Sequence, residues 1–358
     1  MYQRLLRGLR ADPPGAAAQN TARKQTFCAA LEQAEQMFSA AKVTDAMTRP
    51  LLVYYGLNQA ARAIAAAASN VPDRDQRPGA TAEPWKLSGH GLKIVHGTNA
   101  MNGPDIASVP LADQNGAFVQ LAGILKSGSL LARRPDKTPT TNVTIGQIWE
   151  TIPDTVGFSL PGPADLPVLA FEEESIFYDG SVPSGGWKAS VQNHRESALL
   201  EGIPQHVVNA DDQEAALKNF LASYPTLGDV QSTPHPNGHI DWEGDSVLEL
   251  PVVRVFWETP VPVAAQPTRT LVNRVATWYR GQPYVFPALG ENREPLHPLL
   301  AWWAVLYALS MLARYEPCAW QKRIDIDGSK EAAAIEHLLE AALDYLPALI
   351  RDTISEVS

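Results

Sequence analysis

The most hydrophobic stretch of the chain runs from Pro298 to Ala313 and ends directly at Arg314. It is shorter than the roughly 20 residues that a helix needs to cross a bilayer. An apolar helix that does not face lipid buries its surface against other parts of the protein. The stretch therefore predicts a buried helix rather than a membrane anchor, in a chain of 358 residues that is long enough for one large domain or two ordinary ones.

Apolar residues at helical spacing predict further helices near both ends of the chain. The segment Thr21–Lys42 has this spacing, and a second helix begins after Pro50 and contains a run of alanines, which have the highest helix propensity. The segment Ser329–Thr353 carries leucines and isoleucines on one face. Because these apolar faces match, we expect residues 21–68 and 298–353 to pack together into one core.

The middle of the chain has a different character, since its apolar runs are short and are separated by glycine and proline. The predicted strands are Leu92–Val95, Gly116–Leu121, Pro167–Phe171 and Val247–Trp257, and a short helix is predicted over Glu214–Tyr224. The expected fold class is α+β, with the N- and C-terminal helices packed together and a β-rich middle region on one side of them. This gives an N-terminal helical segment 1–88, a mixed β/α middle region 89–287 and a C-terminal helical segment 288–358.

Charge and cysteine content restrict the expected partners and compartment. The net charge of −10 disfavours non-specific binding to nucleic acid or to an anionic membrane, so nucleic acid is a weakly supported partner and a membrane is not expected. Cys28 and Cys318 are far apart and form no CxxC pair, which favours a reducing cytoplasm. Arg4, Arg7 and Arg10 lie at a start that lacks the apolar stretch of a secretory signal, and we expect a frayed end there.

Three stretches have a distinctive residue content. They are Leu51-Leu52-Val53-Tyr54-Tyr55-Gly56 with Asn58, Gly89-His90-Gly91-Leu92, and Leu309 to Pro317 with Trp320. Together and in this order they resemble the YaaC-like family of bacterial proteins, from the second helix to the C-terminus. The pattern Ser-Met-x-x-Arg-Tyr-Glu-Pro-x-x-Trp in the third stretch is the most specific. The resemblance implies an overall architecture and a shared site rather than a reaction.

The candidate binding site combines residues of these three stretches, which the predicted architecture places on or near one surface. Its members are Asn58, His90, Arg314, Tyr315 and Glu316. Arg314 offers a planar donor fork for a phosphate or carboxylate, Tyr315 offers a stacking face, and His90 adds an imidazole. Two structural interpretations stay open, because Arg314 and Pro317 also suit the end of a helix and the glycines around His90 suit a tight turn.

Metal, cofactor and nucleophile motifs are poorly supported. His235 to Asp241 gathers two imidazoles and a carboxylate, but its proline and glycine prevent alignment on a helix, so we expect a loop and no metal. The GxGxxG spacing from Gly89 places Ile94 where a glycine is required, and a Walker A loop is missing, so we expect no cofactor. Ser184 does not lie in a GxSxG motif, so it is not expected to be a nucleophile. Cys318 lies next to a packed helix end, and we expect it to be an unreactive, small apolar side chain.

The leading functional hypothesis is a cytoplasmic binding or interaction component, with an unknown protein partner or an anionic ligand that meets His90 and Arg314. A bacterial stress or phage-defence system is a setting that general analogy favours. The alternative is a metal-independent ribonuclease of the HEPN-like helical type, although Arg293 and His297 lie closer together than that pattern requires and enclose Pro295. A purely structural scaffold is also compatible with the sequence.

Overall fold

The computed structural model describes residues 2–72, 83–103, 105–128, 130, 143–162, 165–173, 194–228, 252–259, 269–290 and 294–358. Its helices are α1 (Tyr2–Ala11), α2 (Gly15–Gln19), α3 (Thr21–Lys42), α4 (Arg49–Ala67), α5 (Ala117–Ile124), α6 (Ile145–Trp149), α7 (Gln205–Val208), α8 (Gln213–Leu221), α9 (Arg269–Val275), α10 (Pro298–Tyr315), α11 (Pro317–Arg323) and α12 (Ala332–Val357). Its strands are β1 (Leu92–Ile94), β2 (Pro110–Asp113), β3 (Val143–Thr144), β4 (Leu169–Glu173), β5 (His194–Glu201), β6 (Val252–Thr259), β7 (Thr277–Tyr279) and β8 (Gln282–Val285). The expected α+β class is confirmed.

The chain forms two compact units. The first comprises residues 1–163 and 289–358, and the second comprises residues 164–288. Residues 89–163, which the sequence analysis assigned to the middle region, therefore share a unit with the terminal helices. Their short strands and helices contact α4, α10 and α12, and these contacts explain the assignment.

The core of the first unit is built around α4, which packs against α3, α10 and α12. The alanines of α4 and Gly56 permit close helix approach, since a Cβ at Gly56 would lie only 3.0 Å from the Phe38 ring of α3. Helix α10 is buried on all sides from Pro298 to Leu312. The predicted packing of the N- and C-terminal helices is thus confirmed. Within the described residues, no helix has the length and apolar character needed to span a membrane.

The N-terminal segment is a helix, so the expectation of a frayed end was wrong. Arg7 Nε and Arg10 Nη2 of α1 donate to the Glu35 carboxylate of α3, at 2.5 Å and 2.8 Å. Glu35 is buried, and a buried carboxylate requires such compensation. A contact between residues so far apart in sequence holds α1 on the core, and local sequence patterns do not reveal it.

A small antiparallel sheet with the strand order β1-β2-β3 lies in the first unit. Its register pairs Leu92 with Asp113 and Leu111 with Val143. The strand predicted over Gly116–Leu121 was wrong, because this segment enters α5. A short apolar run fits a buried strand and a buried helix equally well, and periodicity alone does not separate them.

The second unit is a five-stranded antiparallel sheet with the order β6-β5-β4-β8-β7. Its register pairs Ala170 with Glu201 and Leu200 with Val253. Apolar side chains of this sheet form one core with those of α8, including Phe171, Val255 and Phe220. The predicted strand over Pro167–Phe171 and the short helix over Glu214–Tyr224 are confirmed as β4 and α8, with ends shifted by a few residues.

Candidate functional site

Two adjacent tyrosines of α4 organise the candidate site. Tyr54 is completely buried, whereas Tyr55 is half-buried, and their ring centroids are 5.2 Å apart. Asn58 follows Tyr54 by one helical turn and is also buried. Neighbouring positions on a helix point in directions about 100° apart, so the two phenols reach different partners.

Tyr54 contacts His90, which precedes β1. The Tyr54 hydroxyl lies 2.8 Å from His90 Nδ1, and the His90 side chain is exposed to solvent. The backbone around this histidine is closely fixed: the His90 carbonyl accepts a hydrogen bond from Phe118 N at 3.1 Å. Gly91 has a φ of 83°, and a Cβ there would lie 2.6 Å from Phe118 N. Only glycine satisfies this conformation and this close approach.

The Tyr54 phenol is buried beside Trp303, Asn58 and Tyr307. Burial raises the pKa of Tyr54 above its ordinary value, the side chains of Trp303 and Asn58 lower it in part, and the nearby Tyr307 raises it further. Trp303 Nε1 is buried and has no hydrogen-bond partner within the described residues, so its N–H faces Tyr54 without a well-formed bond. Tyr54 therefore stays protonated at neutral pH and can donate a hydrogen bond.

Tyr55 contacts Arg314 in the last turn of α10. Arg314 Nη1 donates to the Tyr55 hydroxyl at 2.8 Å, and the guanidinium carbon lies 5.0 Å from the centroid of the Tyr315 ring. Arg314 and Tyr315 are both exposed. Within the described part of the chain, Arg314 forms no ion pair with a carboxylate. Two aromatic side chains thus hold its guanidinium without neutralising its charge.

Glu316 has a different role from Arg314. Its backbone N–H bonds to Leu312 O and closes α10, and Pro317 then begins α11. Its carboxylate accepts hydrogen bonds from Thr98 Oγ1 and Asn102 Nδ2, each at 3.3 Å. The predicted helix end is therefore real, and Glu316 is bonded to the Thr98–Asn102 turn rather than to Arg314.

The structure thus connects His90 and Arg314 to adjacent tyrosines of α4. Asn58 lies beside the buried Tyr54 phenol and supports the site from below the surface. Tyr55 is the member that the sequence analysis missed, although it belonged to the first quoted stretch. No local pattern identified the partners of Glu316, because they come from a turn more than 200 residues away in the chain.

The other candidate residues have structural roles or lie outside the described residues. His297 caps α10, with Nδ1 accepting from Leu299 N at 3.1 Å, and its Nε2 lies 3.2 Å from Glu356. Cys28 and Cys318 are free thiols. The described ranges contain no group of three or more residues suited to hold a metal ion. Outside these ranges lie His235 to Asp241, Ser184 and Arg293.

Comparison with known families decides the membership of the chain. The family model described as YaaC-like Protein matches residues 8–354, which is nearly the whole sequence. The chain belongs to the YaaC-like protein family. The match covers both units of this YaaC-like chain and all three stretches that carried the resemblance. No curated protein and no solved structure matches the chain.

Proposed function

We propose that this YaaC-like protein is a cytoplasmic binding component that accepts an anionic group on the Arg314 surface, formed by Tyr55, His90, Arg314 and Tyr315. The proposal rests on the contacts of the Arg314 guanidinium. A hydrogen bond and an aromatic contact fix it in place, but it has no carboxylate partner among the described residues. A guanidinium carries five N–H donors, and Tyr55 uses one of them. The remaining donors suit a phosphate or carboxylate.

Fixing the guanidinium in advance favours binding. An arginine side chain loses considerable rotational freedom when a ligand immobilises it, and that loss weakens the affinity. Tyr55 and Tyr315 already restrict Arg314 in the free protein. The entropy loss on binding is therefore smaller than for an ordinary exposed arginine.

His90 supplies a second hydrogen-bond donor on the Arg314 surface. In this proposal the Tyr54 hydroxyl donates to His90 Nδ1, 2.8 Å away, which leaves Nε2 of the exposed ring as an N–H donor. This arrangement fixes the tautomer of an exposed histidine. An anion on the Arg314 surface then meets an arginine fork and an imidazole N–H.

Cytoplasmic location is part of the proposal, and the state of the cysteines supports it. Both cysteines are free thiols, as is typical of a reducing compartment. The net charge of −10 disfavours non-specific binding to nucleic acid, so a small anion or an acidic segment of a protein partner suits the site better. A role in a bacterial stress or phage-defence system stays a prediction from analogy.

The test is a titration of isotopically labelled protein with inorganic phosphate and with acetate, followed by the NMR signals of the His90 ring. His90→Ala assigns these signals. We expect Arg314→Lys and Tyr55→Phe to weaken the binding of phosphate by about tenfold or more, since a charge-assisted hydrogen bond contributes about 1.5–3 kcal/mol. Arg351→Lys is the control, because Arg351 is a partly exposed arginine of α12 that pairs with Asp352.

Two results would contradict the proposal. One is an absence of any shift at His90 with either anion at millimolar concentrations. The other is equal binding by Arg314→Lys and the wild-type protein together with a lower melting temperature, which would show that the arginine serves stability alone.

A further inference from the structure

A cavity of about 580 Å³ opens between the segment around Asn102, helix α11 and the start of α12. Its lining includes Asn102, Asp105, Cys318, Lys322 and Lys330, and excludes all four residues of the Arg314 surface. The volume lies within the range of about 300–1,000 Å³ that small-molecule sites in proteins occupy. The cavity is therefore separate from the Arg314 surface and large enough for a metabolite.

A rigid, electrically neutral pair forms part of the cavity wall. The Arg323 guanidinium pairs with the Glu331 carboxylate, and both side chains are buried. Arg323 Nη2 also donates to Met101 O at 2.8 Å and Gly103 O at 2.6 Å, while Glu331 Oε1 accepts from Ile106 N at 2.8 Å. These bonds hold the wall in one arrangement, and the two charges compensate each other.

The other carboxylates that line the cavity already accept hydrogen bonds from the protein. Asp105 Oδ1 accepts from Ala107 N at 2.8 Å, and Glu316 accepts from Thr98 and Asn102. The lining acids are therefore held by donors of their own unit. Their positions are fixed, and they do not extend toward a shared point as metal ligands would.

The lysines that line the cavity, unlike its carboxylates, have no such partners among the described residues. Lys322 and Lys330 are exposed, and neither forms an ion pair with a carboxylate among the described residues. Each ammonium carries three N–H donors. Ser329 Oγ accepts from Glu331 N at 3.2 Å, which leaves its own proton available to a ligand. The free donors of the lining thus include the two ammonium groups and the Ser329 hydroxyl, whereas Asp105 and Glu316 already accept hydrogen bonds from uncharged donors.

We infer that this cavity binds a small molecule that carries a phosphate group, with Lys322 and Lys330 on the phosphate oxygens. Lysine binds phosphate as a point charge, whereas flat carboxylates are matched better by the planar fork of arginine. Three of the five N–H donors of Arg323 bond to Glu331 and two backbone carbonyls, so this buried guanidinium is already engaged within the protein. The inference does not depend on the Arg314 surface, because no residue of that surface lines the cavity.

Cys318 provides a reporter at the cavity. Its thiol is exposed and lines the cavity, whereas Cys28 lies on α3 and its thiol bonds to Arg10 O. The protein is alkylated with iodoacetamide, an uncharged reagent, and the modification of each cysteine is followed by mass spectrometry. The probes are inorganic pyrophosphate, inorganic phosphate and succinate, each compared with sodium chloride of equal ionic strength.

We expect pyrophosphate and phosphate to slow the alkylation of Cys318 severalfold while the rate at Cys28 stays unchanged. The double variants Lys322→Ala/Lys330→Ala and Lys322→Gln/Lys330→Gln should lose this protection at an unchanged melting temperature. Lys218→Ala is the matched control, since Lys218 is an exposed lysine of α8 in the second unit. Protection in that variant should equal protection in the wild-type protein.

Three outcomes would overturn the inference. The first is protection no greater than in sodium chloride. The second is protection that survives in both double lysine variants. The third is protection by succinate that equals protection by pyrophosphate, which would assign the cavity to carboxylates instead of phosphates.

Discussion

Replacing Arg323 by methionine tests whether the buried pair holds α11, α12 and the turn around Met101 together. The side chain gives up one bond to Glu331 and two to backbone carbonyls, and all of its partners are buried or partly buried. Methionine fills much of the same volume but leaves the Glu331 carboxylate uncompensated inside the protein. Removing one member of such a pair costs about 3–5 kcal/mol.

That loss should lower the melting temperature by on the order of 10 °C, because a unit of this size responds with about 2–4 °C per kcal/mol. Urea denaturation followed by tryptophan fluorescence measures the free energy directly. The double variant Arg323→Met/Glu331→Gln should be more stable than Arg323→Met alone, since the buried charge is then gone and glutamine still accepts from Ile106 N. Arg351→Met removes an exposed ion pair with Asp352 and should change the free energy by no more than about 0.5 kcal/mol.

The reasoning would be refuted by either of two results. A loss below about 1 kcal/mol in Arg323→Met would mean that water reaches and compensates Glu331. A double variant no more stable than the single one would mean that the two carbonyl bonds of Arg323, rather than its charge pairing, stabilise this region.

Other changes test the remaining contacts. Above pH 10 the folded protein keeps the Tyr54 proton, whereas the unfolded chain loses it, so the free energy of unfolding should fall as the pH rises. In Tyr54→Phe this fall should be less steep, by up to about 1.4 kcal/mol per pH unit. Urea denaturation at a series of pH values measures the difference. Gly91→Ala should destabilise more than Gly97→Ala in thermal melts, because both have a positive φ but a Cβ would collide with backbone only at Gly91. Glu35→Gln should lower the free energy of unfolding by about 2 kcal/mol and speed hydrogen exchange in α1, because Arg10 loses a buried charged partner. Unchanged hydrogen exchange in α1 would contradict this expectation.

The long helices were predictable because their signals are local. Helix α3 has the bounds that the spacing of its apolar residues predicts, and α10 is buried along nearly its whole length as its hydrophobicity requires. Pro317 marked the end of α10 because proline cannot continue a regular helix without losing a bond. Such features depend on residues within a few turns of one another.

The short elements were less predictable. The apolar run after Gly116 became α5 instead of a strand, because a few apolar residues fit either structure and the packing around them decides. The positively charged N-terminal segment is helix α1, and Arg7 and Arg10 of this helix bond to the buried Glu35 of α3. In both cases the deciding partner lies elsewhere in the chain.

The sequence by itself determined the long helices α3, α4, α10 and α12, their apolar faces, the family and the position of Arg314 at a helix end. Only the tertiary structure decided that His90 contacts Tyr54 across 36 residues and that Arg314 contacts Tyr55 across 259 residues. It also decided that Glu316 turns toward Thr98 and not toward Arg314. The physical reason is that these contacts depend on the rotation of α4 and α10 when they pack, and this rotation depends on all the side chains between them.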